Sequence, residues 1–259
     1  MKTRIISALI ALPLLFVVLF FKGPLLYAAT LILSIIGLNE FFKPISIEYK
    51  PLKGIVYVLT FIWFAGLYID IPTYYYNFMI AILVFTVLSV VVFSDHSLTD
   101  AALSILAFFY IPFAFSHLVM IAKLDAQFFI WYPFIIAFIT DTFAYFTGKM
   151  IGKTPLIPSV SPNKTVEGSV GGVLACVVAS GIYAYLFNPG FFAFALFLGV
   201  IGAILSQIGD LIASRIKRIF KIKDFGKIMP GHGGVLDRFD SIIVTMPLVY
   251  YFMMLYQLL

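Results

Sequence analysis

Charged residues are scarce in this sequence. Only 11% of its 259 residues are charged and 63% are hydrophobic, whereas soluble domains carry about 25% charged residues. The mean hydropathy is +1.08, and no polar stretch is long enough to form a separate soluble domain. This composition excludes an ordinary soluble globular protein and is typical of a polytopic membrane protein.

Cysteine and metal-binding histidine are equally scarce. The single cysteine, Cys176, excludes an internal disulfide and lies in an apolar run, where we expect a small packing residue. The three histidines, at positions 96, 117 and 232, are scattered along the chain. The sequence therefore contains no His/Cys ligand set for zinc.

Long apolar runs separated by turn residues make up most of the chain. Lipid offers no water to backbone polar groups, so spanning segments must be helices or closed barrels. Continuous apolar runs near ~20 residues favour helices over the ~10-residue alternating strands of a barrel. We therefore predict an all-α, polytopic helical integral membrane protein with about nine transmembrane helices. They lie at about 5–21, 24–42, 54–70, 75–93, 101–122, 128–148, 169–187, 191–213 and 241–258.

Basic residues predict an N-in, C-out orientation, because cytoplasmic loops carry an excess of Lys and Arg. If residues 214–240 are cytoplasmic, all 17 Lys and Arg residues except Lys22 and Lys123 fall on the cytoplasmic side. We divide the chain into N-terminal transmembrane helices, 1–135, and a C-terminal catalytic region, 136–259, with cytoplasmic loops at 149–168 and 214–240.

Four aspartates predict a divalent-cation site. Asp141 and Asp210 lie within predicted spans, where ionisable groups are costly and usually functional. The predicted topology places them near the cytoplasmic face, with Asp237 and Asp240. Carboxylates gathered without local cations would repel one another, and oxygen ligands suit Mg²⁺, which usually shares its shell with substrate phosphates. An interhelical hydrogen-bond seam is the alternative for Asp141 and Asp210.

The polar segment at residues 214–240 contains glycines and cations suited to phosphate. Ser206, Asp210, Ser214 and Lys217 follow a helical spacing and form a polar stripe that runs into this segment. Glycines around His232 allow positive φ and an anion-binding nest, with a tight turn as the alternative. We expect phosphate contact at Lys223 and Arg238. Anchoring to anionic lipid is the alternative for the lysines and Arg218 of this segment, and it is the interpretation we favour for Lys221 and Lys227.

A second polar segment, at residues 148–172, leads into the seventh predicted span and includes its first residues. Helix N-termini attract anions, so a phosphate or sugar contact is one interpretation of its hydroxyl, lysine and acid side chains. An ordinary helix cap is the other. Gly168 and Gly172 form a GxxxG pair, which predicts close helix packing. The residues together predict a cytoplasm-facing, Mg²⁺-dependent site for phosphorylated substrates, partly embedded in the bilayer.

Four stretches of the sequence carry a family signature. They are Ser214-x-Ile216-Lys217-Arg218-x₄-Lys223-Asp224-x-Gly226-x₂-Met229-Pro230-x-His232-Gly233-Gly234-Val235-x-Asp237-Arg238-Phe239-Asp240, Asp141-Thr142-Phe143-Ala144-Tyr145-Phe146-x-Gly148, Ser161-Pro162-x-Lys164-Thr165-x-Glu167-Gly168, and Gly209-Asp210-Leu211. Together they closely resemble the bacterial phosphatidate cytidylyltransferases, also called CDP-diacylglycerol synthases. The resemblance covers about residues 140–245, and the first 135 residues match mainly in hydropathy. Ala213 stands where many members carry Glu. If that Glu serves as a ligand or base in those members, another group must serve in this chain.

The resemblance implies the reaction of CTP with phosphatidate to give CDP-diacylglycerol and pyrophosphate. It implies Mg²⁺ as cofactor, with K⁺ as a candidate second cation. The implied catalytic residues are Asp210, Asp237, Lys223 and Arg238. The implied metal ligands are Asp210 and Asp237, with Asp141 and Asp240 as second choices. The implied substrate-binding residues are Ser161, Lys164, Thr165, Glu167, Lys217, Arg218, His232, Gly233 and Gly234.

The resemblance places the chain in the bacterial inner (cytoplasmic) membrane, with CTP, phosphatidate and membrane lipid as partners. We expect no nucleic-acid partner, and the GxxxG pair is compatible with a homodimer without requiring one. Two other classes stay open. A CTP-dependent polyprenol or dolichol-type lipid kinase would use the same acids and cations but release CDP. A transporter would need charged residues near the bilayer centre, whereas the acids here group at one face.

Overall fold

A computed structural model of the chain describes residues 13–124, 127–228, 231 and 233–258. Almost all of its regular structure is α-helical, which confirms the predicted all-α class. Seven of the described helices are long and apolar enough to cross a membrane, which confirms an integral, polytopic membrane protein. Three of them include a short π-helical or 3-10 turn. The apolar segments are Gly23–Ile45, Tyr75–Phe93, Leu98–Lys123, Phe128–Ile151, Val166–Phe187, Pro189–Ile219 and Leu236–Leu258.

The count of nine spans and the orientation stay predictions. The first predicted span, 5–21, begins outside the described residues, and its described part, 13–21, is helical. The third coincides with the helix Lys53–Tyr68, which has 16 residues. At 1.5 Å per residue it is ~24 Å long, shorter than the ~30 Å core of a bilayer.

The described chain forms two compact units, and the predicted division near 135 into N-terminal helices and a catalytic region stays a prediction. The first unit contains the described residues up to Met120 together with Asp224–Asp237. Its helices are α1 (13–21), α2 (Gly23–Ile45), α3 (Lys53–Tyr68), α4 (Thr73–Phe93), α5 (Leu98–Phe108) and α6 (Ala114–Lys123). Helix α6 ends three residues beyond Met120, the end of this part of the unit. A π-helical turn at Phe109–Phe113 joins α5 to α6. It contains Pro112, whose missing N–H disturbs the regular hydrogen-bond ladder.

The second unit contains Ile121–Lys223 and the chain from Arg238 onward. Its helices are α7 (Tyr132–Ile151), α8 (Val166–Phe187), α9 (Phe192–Ile219) and α10 (Leu236–Leu258), the last of which begins within the first unit. Between α7 and α8 lies an antiparallel hairpin of β1 (Pro155–Ile157) and β2 (Ser161–Thr165). This hairpin was not predicted, because strands of three and five residues are too short to display an alternating pattern.

Glycines allow helices α7 and α8 to pack closely. A methyl group added at Gly172 would lie 2.8 Å from the Thr140 carbonyl oxygen, and one at Gly168 would lie 2.6 Å from that of Ala144. The predicted close packing at the GxxxG pair is therefore confirmed. Cys176 is completely buried, which confirms its interpretation as a packing residue.

Candidate active site

Helix α9 carries the predicted polar stripe. It is continuous from Phe192 to Ile219, so the four residues of the stripe lie along one helical face as their spacing predicted. The hydroxyl of Ser214 donates to Asp210 Oδ1 over 3.3 Å. The helix ends at Ile219 rather than at the predicted 213, so Lys217 and Arg218 lie in its last turn, where cations complement the helix dipole.

Asp210 forms an ion pair with Lys164. The distance from Lys164 Nζ to Asp210 Oδ2 is 2.5 Å, and the two side chains are 27% and 25% exposed. Lys164 lies on β2, directly before helix α8. The pair was not predicted, because nothing in the sequence places this hairpin beside α9. Asp210 therefore has a matching cation before any ligand binds.

Three of the four predicted metal-binding aspartates come together in the second unit. Ser241 links two of them, because its hydroxyl donates to Asp141 Oδ2 over 3.0 Å and its backbone N–H donates to Asp240 Oδ1 over 2.9 Å. The charge of Asp210 acts on both Asp141 and Asp240. We call Asp141, Asp210 and Asp240 the acidic cluster.

Close backbone packing sets the position of the acidic cluster. Gly209, next to Asp210 on α9, lies so close to α10 that an added methyl group would be 2.7 Å from the Asp240 carbonyl oxygen. A glycine at this position lets the two helices approach and brings their carboxylates together. Asp141 is exposed and the other two aspartates are half-buried, so a ligand can reach the cluster.

Basic side chains also act on the acidic cluster. Lys164 and Arg238 act electrostatically on Asp141, and Lys217 acts on Asp240. All three cations are predicted substrate-binding or catalytic residues. The second unit thus combines carboxylates that suit a divalent cation with cations that suit phosphate oxygens.

The donor set of the acidic cluster fits a metal that is shared with substrate. Among the described residues, no three His, Cys, Asp or Glu side chains are arranged to hold a metal ion by themselves. Mg²⁺ usually keeps several waters and takes one or two protein carboxylates together with substrate phosphates. The carboxylates present therefore suit Mg²⁺ that binds with a phosphorylated ligand rather than in a complete protein cage.

Asp237, the fourth predicted ligand, belongs to the first unit and is buried there. Its Oδ2 accepts hydrogen bonds from the backbone N–H of Phe225 over 2.8 Å and of Gly234 over 3.0 Å. One carboxylate oxygen is thus used to fold the segment Asp224–Asp237 back on itself. That Asp237 and Asp210 bind the same metal ion stays a prediction.

Glycine is required beside Asp237. Gly233 has φ 86°, a left-handed conformation that side chains rarely adopt. A methyl group there would also lie 2.8 Å from Asp237 Oδ2. Gly234 is buried and donates to the same oxygen. His232, predicted to bind substrate, lies outside the described residues, and phosphate binding by Gly233 and Gly234 stays a prediction.

Sequence reasoning missed Glu40 of helix α2. Its carboxylate is buried and accepts hydrogen bonds from the backbone N–H groups of Val235 and Leu236, at 3.0 and 2.9 Å. A detectable signal existed, because Glu40 is a single acid within the second predicted span, and ionisable residues in spans are usually functional.

The residues that open α8 have roles in the local fold. Thr165 caps the helix, accepting a hydrogen bond from Gly168 N over 3.1 Å. Glu167 accepts from the backbone N–H groups of Lys153 and Thr154, at 3.1 and 3.2 Å. Ser161 begins β2, paired with Ile157. These contacts support the capping interpretation for Thr165, whereas Glu167 binds the chain just before β1. Substrate binding by either residue stays a prediction.

The remaining predicted cations lie at accessible positions. Lys223, in the segment after α9, is exposed, as are Arg218 in the last turn of α9 and Arg238 in the first turn of α10. Ala213 is completely buried in α9. In the described part of the second unit, Asp141 and Asp240 are the carboxylates that accompany Asp210.

Comparison with known proteins identifies the family. The model of the cytidylyltransferase family matches residues 2–256. A protein of Staphylococcus aureus named phosphatidate cytidylyltransferase is 35% identical, with 96% of this chain and 97% of the relative covered. Proteins with the same name from Staphylococcus haemolyticus and Bacillus subtilis are 34% and 32% identical, with coverage of 96% and 99% of this chain and 97% and 99% of the relatives. These matches confirm the resemblance carried by the four signature stretches, and the chain is an enzyme of the cytidylyltransferase family.

Proposed function

We propose that this enzyme transfers CMP from CTP to phosphatidate, giving CDP-diacylglycerol and pyrophosphate for phospholipid biosynthesis. The name shared by the relatives supports phosphatidate as the acceptor. The observation that carries the proposal is the acidic cluster in the second unit, with Lys164, Lys217 and Arg238 acting on it. Carboxylates and cations in one place suit two phosphate-bearing reactants and a divalent cation.

The chemistry needs positioning and charge neutralisation more than a strong base. A phosphate oxygen of phosphatidate, already an anion, attacks the α-phosphorus of CTP. A new P–O bond forms, the bond from the α-phosphorus to the bridging oxygen breaks, and pyrophosphate leaves with its electron pair. Holding the two anions in line and stabilising the developing charge supplies the acceleration.

Residues of the second unit have distinct parts in this proposal. Asp210, with Asp141 or Asp240, would hold Mg²⁺. When bound, Mg²⁺ neutralises phosphate charge. Lys217, Lys223 and Arg238 would contact phosphate oxygens. An incoming phosphate would draw Lys164 from Asp210, which frees Asp210 Oδ2 as an acceptor. K⁺ is the candidate for a second cation, as the resemblance to the family implies.

We further propose that the reaction takes place at the cytoplasmic face of a bacterial inner membrane. The support is the predicted sorting of Lys and Arg, which places the loops beside the acidic cluster on the side with most positive charge. Bacterial relatives and seven apolar helices agree with a membrane enzyme.

A product assay tests the proposed reaction. The purified enzyme, in nanodiscs with phosphatidate and Mg²⁺, receives CTP labelled at either the α- or the γ-phosphorus. We expect α-label in CDP-diacylglycerol and γ-label in pyrophosphate. Asp210→Asn should stop the transfer, whereas Asp95→Asn, the same change at an exposed loop residue, should not. Transfer of the γ-label to a lipid alcohol with release of CDP would instead identify a lipid kinase and refute the proposal.

A further inference from the structure

Glu40 lies outside the acidic cluster and has no part in the chemistry proposed above. It is nevertheless a carboxylate that is only 5% exposed, on the mostly apolar helix α2. Burial of an unpaired carboxylate is strongly unfavourable, so its partners indicate what it is for. Its hydrogen-bond partners Val235 and Leu236 belong to the segment Asp224–Asp237.

The two oxygens of Glu40 bind the start of helix α10. Oε1 accepts from Val235 N and Oε2 accepts from Leu236 N. The first N–H groups of a helix have no partner within it, and a negative charge there is also favoured by the helix dipole. Glu40 therefore caps the start of α10 from a position 195 residues away from Val235 in the chain.

Glu40 also contacts the beginning of the same segment. A methyl group added at Gly226 or at Gly234 would overlap the Glu40 carboxylate, so both positions require glycine for this approach. Asp237 closes the segment on itself through Phe225 N and Gly234 N. Two buried carboxylates thus hold four backbone N–H groups, and Glu40 does so from helix α2, outside the segment.

We propose that Glu40 is a positioning residue that fixes the glycine-rich segment Asp224–Asp237 for catalysis. This inference rests on the proposed function. Val235 and Leu236 directly precede Asp237, so the Glu40 carboxylate sets where Asp237, Gly233 and Gly234 lie in the first unit. Misplacement of a catalytic group by about 1 Å can reduce the rate about 10²-fold, so loss of Glu40 should appear in turnover.

Glu40→Gln tests the proposal, because it keeps the size of the side chain but can no longer accept both hydrogen bonds. We expect kcat for CDP-diacylglycerol formation to fall at least about tenfold, with the KM values for CTP and phosphatidate within about threefold of wild type. Hydrogen exchange measured by mass spectrometry should rise at 224–237 while the peptides of α7 and α8 keep their protection.

Ser34→Ala is the matched control, because Ser34 is also buried on α2 but donates only to Thr30 O of its own helix. It should keep wild-type kcat and wild-type exchange at 224–237. The proposal for Glu40 is overturned by an unchanged kcat in Glu40→Gln, by a loss of kcat without faster exchange at 224–237, or by faster exchange throughout the protein. A wild-type enzyme that forms no CDP-diacylglycerol overturns the proposed function as well.

Gly226→Ala tests the same contact from the side of the segment if Glu40→Gln yields no folded protein. The added methyl group would displace the Glu40 carboxylate without removing its charge. We expect the same pattern, with kcat lowered at least about tenfold and faster exchange confined to 224–237. Wild-type kcat in this variant overturns the positioning role.

Discussion

Replacement of Asp237 by alanine removes the two hydrogen bonds that fold the segment Asp224–Asp237 back on itself. Both N–H donors, of Phe225 and Gly234, lie within 3.0 Å of Oδ2, and the Asp237 residue is only 6% exposed. A hydrogen bond to a charged group contributes about 1.5–3 kcal/mol. The two bonds together predict a loss of about 3–6 kcal/mol in the free energy of unfolding.

Asp237→Asn separates this folding role from the predicted catalytic one. Its amide oxygen can take the place of Oδ2 and accept both hydrogen bonds, so we expect less than about half of the alanine effect on stability. The charge is lost, however, so kcat should fall by about 10² or more if Asp237 is a metal ligand.

Unfolding of the purified variants in detergent measures the free energies, followed by tryptophan fluorescence, to which buried Trp63 of the first unit contributes. A loss below about 1 kcal/mol in Asp237→Ala would refute the inferred role of these hydrogen bonds. Wild-type kcat in Asp237→Asn would show that the predicted ligand role is wrong.

Three further variants and one metal test follow from the second unit. Asp210→Asn should lower kcat at least about 10²-fold, measured by labelled CDP-diacylglycerol, with Asp95→Asn within about twofold of wild type. Lys164→Met should raise the KM for CTP or phosphatidate about tenfold if this lysine moves from Asp210 to a phosphate, and an unchanged KM in steady-state kinetics would count against that movement. Gly172→Val should reduce the folded yield seen by size-exclusion chromatography, because the larger side chain would meet the Thr140 carbonyl oxygen and separate α7 from α8. EDTA should abolish turnover and added Mg²⁺ should restore it, whereas full activity in EDTA would exclude a required divalent cation.

Local and periodic features of the fold were predictable from the sequence. Each apolar run after the first coincides with a described helix, because hydropathy alone decides which segments suit lipid. The polar stripe on α9 followed from a helical spacing, and the close approach at Gly168 and Gly172 followed from residue size. The family was identifiable because its signature is long, and the family model matches residues 2–256.

Contacts between distant parts of the chain were not predictable. The Lys164–Asp210 pair depends on where a short hairpin lies beside α9, and the Glu40 cap joins residues 195 positions apart. Helix α10 begins at Leu236 rather than at the predicted 241, because polar residues in its first turn hide the apolar pattern. Asp237 near that N-terminus is favoured by the helix dipole, a signal that hydropathy does not carry.

We expect the acidic cluster to bind a divalent cation together with the phosphates of CTP. Electron paramagnetic resonance of Mn²⁺, used in place of Mg²⁺, tests this most directly in wild-type enzyme, Asp210→Asn and Asp95→Asn. We expect CTP to strengthen Mn²⁺ binding in wild type and Asp95→Asn, with this effect lost in Asp210→Asn. Equal CTP-dependent binding of Mn²⁺ in Asp210→Asn and wild type would show that Asp210 does not hold the cation.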